Sequence, residues 1–364
     1  MKRIAILFPD PHLPYSPTVL NLQKELAKYY STDIIAFHHK HFGKVNEPFV
    51  NYVPLPFLLL KVYGAINKIS LTAGRDVLSY IMRLTARSFF RRNNHYDHII
   101  AVDPLSVWML KDMGLRNVHL LSLELTYNTN DFISKINLAS LQSIIIQSKE
   151  RLQALAPTFK GNVFFIQNAP SFDVSQVKKT KPEKTELIVS GTAIDHFGLY
   201  SYLNFIDTYP QYRLTIKGKL IEKEKPKIEK EYGHLLAENR VVINQDYLSD
   251  KDLITKIGEY RIGFCFYDFS FKEIDNINYK TAPSGKMFTY FVAGVPVIGN
   301  NVPGLFPIRD FSAGQLIDTL EAEEIKKAID KIELEYDKYV EGCYKAAAYY
   351  NFNEAVKPFI EFLK

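Results

Sequence analysis

The sequence predicts an α/β protein built from two Rossmann-like domains, and three observations carry that expectation. Short apolar strands alternate with amphipathic helices from Ile4 onward, the pattern of a parallel sheet with crossover helices. The alternation restarts at Leu187, after a polar, Lys-rich stretch at 171–186. A length of 364 residues exceeds what one hydrophobic core usually organises. The polar stretch sets the expected boundary, with one domain at 1–170, a second at 171–350, and a final helix in 351–364.

Composition narrows the class. Hydrophobic residues make up 47% of the chain and no tract is degenerate, so a globular protein is expected. Cys265 and Cys343 are too far apart in sequence to suggest a disulfide framework or a metal-ligand spacing. Only five apolar residues separate Arg3 from Pro9, fewer than a signal peptide needs, and no run reaches the length of a membrane span. The reading is a cytoplasmic protein. Its net charge of +5 is uneven, about +8 over 1–170 and −3 over the remainder, and a basic first half suits an anionic partner. No nucleic-acid motif accompanies it.

Ile4–Phe8 reads as a strand, the Pro-rich loop 9–17 follows, a helix runs from about Thr18 to Tyr30, and Asp33–Phe37 returns as a strand. In open parallel sheets ligands sit beyond the C-terminal strand ends. That rule puts Asp10, His12 and Tyr15 at the expected cleft, Asp10 and Tyr15 as candidate ligand contacts and His12 as a candidate catalytic residue. A loop histidine is also an ordinary solvated bystander. His38, His39 and His41 crowd one strand end with no Cys or carboxylate among them, which favours a surface loop over a metal tract.

Residues 49–93 combine an apolar, Pro-broken segment with a helix from about Leu71 to Arg92. On that helix Arg83, Arg87 and Arg91 share a face with Arg92 alongside, while Leu78, Ile81 and Leu84 are expected to pack inward. A basic helix beside an apolar segment suits an anionic membrane surface; the alternative is a solvated face over an ordinary core helix. Strands at His98–Val102 and Val118–Leu123 end in Asp103 and Glu124, whose carboxylates are expected to project toward the cleft. Asp103 is a candidate acceptor contact. A carboxylate in Glu124's place can accept a hydroxyl proton, or simply cap a turn. Ser143–Ser148 reads as a further strand.

In the second half, Leu187–Ser190 is a strand that Gly191 turns, and Gly198 opens a helix to about Thr208. Tyr212–Lys217 ends at Gly218, a Lys/Glu-rich helix follows, and strands at Arg240–Asn244 and Ile262–Tyr267 precede the loop Asp268–Asn278. The stretch 279–298 organises the whole. Pro283, Ser284 and Gly285 form a tight entry, a short helix follows, and Gly294-Val295-Pro296 stops it before a strand. Backbone N–H groups at such a helix mouth, with Ser284 as the expected cap and Lys286 in the first turn, suit a diphosphate.

The words Pro283-Ser284-Gly285-Lys286-Met287-Phe288-Thr289-Tyr290-Phe291-Val292-Ala293-Gly294-Val295-Pro296-Val297-Ile298 closely resemble a segment of nucleotide-sugar glycosyltransferases with the GT-B fold, of the retaining, group 1 type found in bacterial polysaccharide synthesis. Ile145-Ile146-Gln147-Ser148 with Arg151, and then Phe164 to Pro170, resemble the last elements of that family's first domain. The resemblance implies two Rossmann-like domains facing each other across a cleft, with 351–364 packing back toward the first. It implies transfer of a sugar from a UDP-, GDP- or TDP-sugar to a glycan or lipid-linked acceptor, without a metal or other cofactor. Lys286 would help expel the diphosphate, and Glu124 would lie near the acceptor. The donor would be held by Gly191, Thr192, His196, Gly218, Tyr247, Tyr267, Thr281, Pro283, Ser284, Gly285, Lys286 and Thr289, with Asp268 and Glu273 near its sugar.

Two departures qualify this. Thr281 and Thr289 stand where the family often carries a pair of Glu, and the loop 192–198 lacks the Arg and Lys that usually meet the diphosphate. Two other readings stand beside it: a nucleotide-sugar epimerase on the same double fold, and an idle member that binds a nucleotide sugar or a partner transferase, the one these departures favour.

Overall fold

The computed structural model describes residues 1–10, 12–37, 44–93, 95–125, 132–171 and 182–364, with Tyr15 described by its backbone alone. The tract of His38, His39 and His41 and most of the Lys-rich stretch lie outside the described residues. The chain divides into two compact units, Met1–Gln167 together with Asn353–Lys364, and Asn168–Phe352.

The first unit carries a seven-stranded sheet: β1 (Arg3–Phe8), β2 (Ser31–Phe37), β3 (Val50–Val53), β4 (His98–Val102), β5 (Val118–Leu121), β6 (Ser143–Ile146) and β7 (Asn162–Phe165). Their order is β3-β2-β1-β4-β5-β6-β7, and every pairing is parallel. Strands such as Ile4-Ala5-Ile6-Leu7 are apolar throughout because helices cover both faces. One of these is the helix Leu71–Arg92, which lays Met82, Ala86 and Phe90 on the sheet.

That helix begins and ends where the sequence places it, but its faces differ from expectation. The buried stripe passes through Gly74, Ile81, Thr85 and Phe90, so Leu84 is rotated off it and is exposed. Arg83 is no solvated charge: its guanidinium lies 4.5 Å from the Trp108 ring and 3.3 Å from Asp112. A second helix, Phe57–Ile69, was not evident in the sequence. Its Pro-broken start and apolar residues on every side hide the helical period.

The last residues complete the first unit. Phe359 is fully buried, its ring 5.5 Å from His119 and 5.3 Å from Phe164. Tyr30 donates its hydroxyl to the Ile360 carbonyl at 3.1 Å, and the Lys2 ammonium donates to that of Leu363 at 3.0 Å.

The second unit repeats the design with six strands: β8 (Glu186–Ser190), β9 (Arg213–Lys217), β10 (Val241–Asn244), β11 (Ile262–Cys265), β12 (Val297–Asn300) and β13 (Gly314–Ile317). The order β10-β9-β8-β11-β12-β13 is again all parallel and repeats that of the first six strands. Alternate residues feed two cores, as the pleat requires. Leu187, Val189 and Phe264 meet the helices Leu199–Thr208 and Ala322–Leu334. Ile188, Cys265 and Val297 meet Gly285–Ala293 and Tyr336–Tyr349. In each sheet the order reverses beside its first strand, β1 against β4 and β8 against β11, and that is where this architecture opens a crevice.

Candidate functional site

The reversal in the second unit is held open by one side chain. β8 and β11 pair only through Ile262 with Leu187 and Gly263 with Ile188. Beyond that point the Tyr290 hydroxyl takes the place of a strand partner. It accepts from the Ser190 N–H at 2.8 Å and the Ser190 hydroxyl at 3.2 Å, and donates to the Phe264 carbonyl at 3.2 Å. Gly263 makes room, since a Cβ there would press on the Tyr290 ring. Tyr290 belongs to the helix Gly285–Ala293, so this hub fixes the helix mouth against the strand ends.

At that mouth Ser284 occupies the N-cap position, yet its side chain makes no capping bond, contrary to expectation. Its hydroxyl neighbours the buried Cys265 thiol at the end of β11 instead. The N–H groups of Gly285 and Lys286 therefore meet no acceptor among the described residues. The Asn168 amide packs close to Gly285, 2.9 Å from where a Cβ would stand. Lys286 is half-buried, with its ammonium 5.5 Å from the Phe197 ring. Burial pushes its pKa down, while interaction with Cys265 pulls the other way. Among the described residues it forms no ion pair. A half-buried cation beside helix N–H groups that meet no acceptor among the described residues has the chemistry that suits an anion.

Two glycines line the neighbouring edge. Gly191 turns β8 at φ +99°, and Gly218 ends β9 at φ +147°, where any Cβ would strike the Gly191 carbonyl. Thr192 follows, half-buried. His196 holds its Nδ1 3.0 Å from Asp195 Oδ1, and Lys223 approaches the same carboxylate at 3.4 Å. Burial raises the Asp195 pKa, but the His196 N–H and the Lys223 charge outweigh it and keep the carboxyl below its usual range. The His196 carbonyl accepts from the Asp268 N–H at 2.9 Å, tying this loop to the one after β11.

Other expected donor residues have structural duties. The Tyr267 ring is buried in an aromatic box with Phe197, Phe269 and Tyr279, and its backbone is clamped at both ends by the Asn300 amide, at 2.7 and 3.0 Å. It builds the wall. Thr281 is buried and donates its hydroxyl to Ile277 of its own helix. Half-buried Thr289 donates to Gly285 at 3.1 Å. Pro283 is buried, the Asp268 carboxylate is held by the Ser270 N–H and hydroxyl, and Glu273 is exposed. Tyr247 is 95% exposed and stands apart from the rest. Asn168, Asn300 and Tyr290 went unnoticed in the sequence; only the place of Tyr290 inside the organising stretch could have singled it out.

The first unit assembles a different set at the ends of β1, β4 and β5. His12 Nδ1 is 2.5 Å from Asp10 Oδ1, and both groups are exposed. Asp103 sits in the left-handed region at φ +58°, which Asp and Asn tolerate better than most residues. It does not project outward as expected: its carboxylate accepts the N–H groups of Leu123 at 2.7 Å and Glu124 at 3.1 Å. Burial foremost lifts its pKa to about 7, against those two bonds and nearby Arg151. Fully buried Arg151 donates to the Leu123 carbonyl at 2.7 Å, bracing the same turn. Glu124 is exposed at its tip. Among the described residues no group of three or more His, Cys, Asp or Glu could hold a metal, and no helix is long and apolar enough to cross a membrane.

Doubled six-strand order with a helix mouth at the second reversal defines the fold as the GT-B type, two Rossmann-like domains in one chain. Solved structures of the same fold span the whole chain. It is similar to sucrose-phosphate synthase from Thermosynechococcus elongatus with a TM-score of 0.69, 14% identity and 100% of this chain covering 98% of that one. The E. coli trehalose-6-phosphate structure bound with UDP-2-fluoro glucose gives 0.70, 11% identity, and 100% against 99%. The pneumococcal O-GlcNAc transferase GtfA, in complex with UDP and GlcNAc, matches over 78% of this chain and 60% of that chain at 0.52 and 13% identity. No protein-family model matches, and no curated protein matches in sequence.

Proposed function

We propose that the protein is a glycosyltransferase that moves a sugar from a nucleotide diphosphate donor to a glycan or lipid-linked acceptor, in surface polysaccharide synthesis at the inner face of a membrane. One observation carries the reading: the unpaired, half-buried Lys286 beside the open N–H groups of Gly285–Ala293. The neighbours that hold UDP or a UDP-sugar support a uridine nucleotide as donor.

The bond from the sugar's anomeric carbon to the diphosphate oxygen breaks, and the diphosphate leaves with the electron pair. Lys286 and the amides of Gly285 and Lys286 stabilise that growing charge without a metal. A new bond forms from the anomeric carbon to the acceptor oxygen, whose proton passes to a base; Glu124 and the Asp10–His12 pair are the candidates. Glycosyl transfer with retention by the structural neighbour trehalose-6-phosphate synthase supports a retained configuration here. Gly191, Gly218, Thr192, His196 and Thr289 border the donor, and Asp10 and Tyr15 the acceptor.

A second reading, binding without turnover, draws on the Asp195 carboxylate in the loop where the family places cations. Incubating the purified protein with UDP-, GDP- and TDP-sugars separates the possibilities. Acceptor-dependent nucleotide release that persists in EDTA is the expected result. Thermal stabilisation without turnover would assign binding only, and isomerised sugar would assign an epimerase.

A further inference from the structure

The helix Phe57–Ile69 is unlike any other long helix described: none of its residues is buried. Leu60, Tyr63, Gly64 and Asn67 form one side, half-covered, and Asn67 is pressed against Gly74 of the following helix, where no Cβ would fit. That contact folds the two helices into a hairpin. The opposite side carries a second apolar stripe, Leu58, Val62, Ala65 and Ile69, at the i, i+4, i+7, i+11 spacing of one helix face. Leu58 is 74%, Val62 50% and Ile69 88% exposed, with Leu71 continuing the patch at the hairpin tip.

Charge says what covers it. From Pro48 to Tyr96 the chain holds seven Lys and Arg and one acidic residue, Asp76. Lys61 and Lys68, one helical repeat apart, flank the apolar stripe, and Arg91 and Arg92 are exposed at the far end of the hairpin. Where the helix leaves the body, a groove of about 520 Å³ is lined by apolar Pro54, Leu84 and Phe89 and by polar Ser88, Asn93 and Arg92. Apolar side chains beside a guanidinium and hydrogen-bonding groups suit the first carbons and the phosphate of a phospholipid.

We infer that the hairpin 57–92 is an interfacial anchor for an anionic lipid bilayer, lying in the membrane plane with Leu58, Val62, Ile69 and Leu71 among the acyl chains. Lys61 and Lys68 reach back to the phosphates, and Arg92 holds one lipid headgroup in the groove. The purpose of the contact, bringing a transferase to a lipid-linked acceptor, rests on the proposed function; the contact itself does not.

The test is co-sedimentation with vesicles of phosphatidylcholine alone or with about a third phosphatidylglycerol, the anionic surface favouring each basic side chain by about fivefold. The full chain should bind the anionic vesicles and scarcely the neutral ones, and high salt should weaken binding. Leu58→Asp, Val62→Asp and Ile69→Asp combined should abolish binding with the melting temperature unchanged, because the three side chains face solvent. Arg92→Gln should weaken it by about fivefold. No binding to anionic vesicles, or binding that the triple variant keeps, overturns the inference. So does a lipid-free dimer that the triple variant dissociates, which would give the stripe to a second copy. Donor affinity, measured on the same variants without lipid, reads the transferase assignment separately.

Discussion

The two units share a strand order but treat charge in opposite ways at their strand ends. In the second, Lys286 forms no ion pair and the first amides of its helix meet no acceptor among the described residues, and the side chain that could have capped them lies beside Cys265 instead. In the first, Asp103 is consumed by the chain's own N–H groups, Asp10 pairs with His12, and buried Arg151 braces the turn beneath Glu124. One edge leaves positive charge open, as the proposed diphosphate site requires; the other holds its carboxylates in place beforehand. The same backbone thus supports two kinds of site, and a handful of residues beyond the strand ends decides which.

The comparison breaks most readily at Lys286. Lys286→Ala should weaken binding of a nucleoside diphosphate by about 10- to 100-fold, the worth of a charge-assisted hydrogen bond, with an unchanged melting temperature. Unchanged affinity by titration calorimetry would remove the anion site. Tyr290→Phe tests whether the helix mouth is held from behind. Loss of the hydroxyl leaves the buried Ser190 N–H and Phe264 carbonyl unsatisfied and should cost about 1–3 kcal/mol in urea unfolding.

Asp103→Asn sharpens the other half. With a folded pKa near 7 against an ordinary 3.8, the folded protein keeps this proton longer than the unfolded chain does. Stability should therefore fall as pH rises between about 4 and about 7. The Asn variant, which retains an oxygen for both N–H groups, should lose that slope and melt higher than the parent at pH above about 7. Parallel melting curves across pH would refute it. The smallest effect is expected from Ser284→Ala: because the hydroxyl does not cap, the loss should fall well short of the ~1 kcal/mol typical of an N-cap.

Much of the scaffold was legible because parallel strands buried on both faces announce themselves as apolar runs. Ile4–Phe8, His98–Val102 and Ile262–Cys265 lie where the sequence places them, and the helix mouth at 284–286 follows from Pro, Ser and Gly before an apolar run. What the sequence hid was orientation. Asp103 looks the same on paper whether it faces solvent or bends back to Leu123 and Glu124, and only its left-handed backbone distinguishes the two. Thr281 was read from its place in a motif and Tyr267 from its place at a strand end, and packing turned both inward. Asn168 and Asn300 act through contacts distant in sequence, which no local pattern records.

The first unit borrows Asn353–Lys364 from the far end of the chain. During synthesis, therefore, its sheet stays unfinished, with the seat for Phe359 empty, until the second unit and residues 353–364 have been made as well. A nonsense codon or a protease nick before residue 353 would leave the second unit whole and strip the first of its closing wedge, so damage at the tail should register as unfolding at the head.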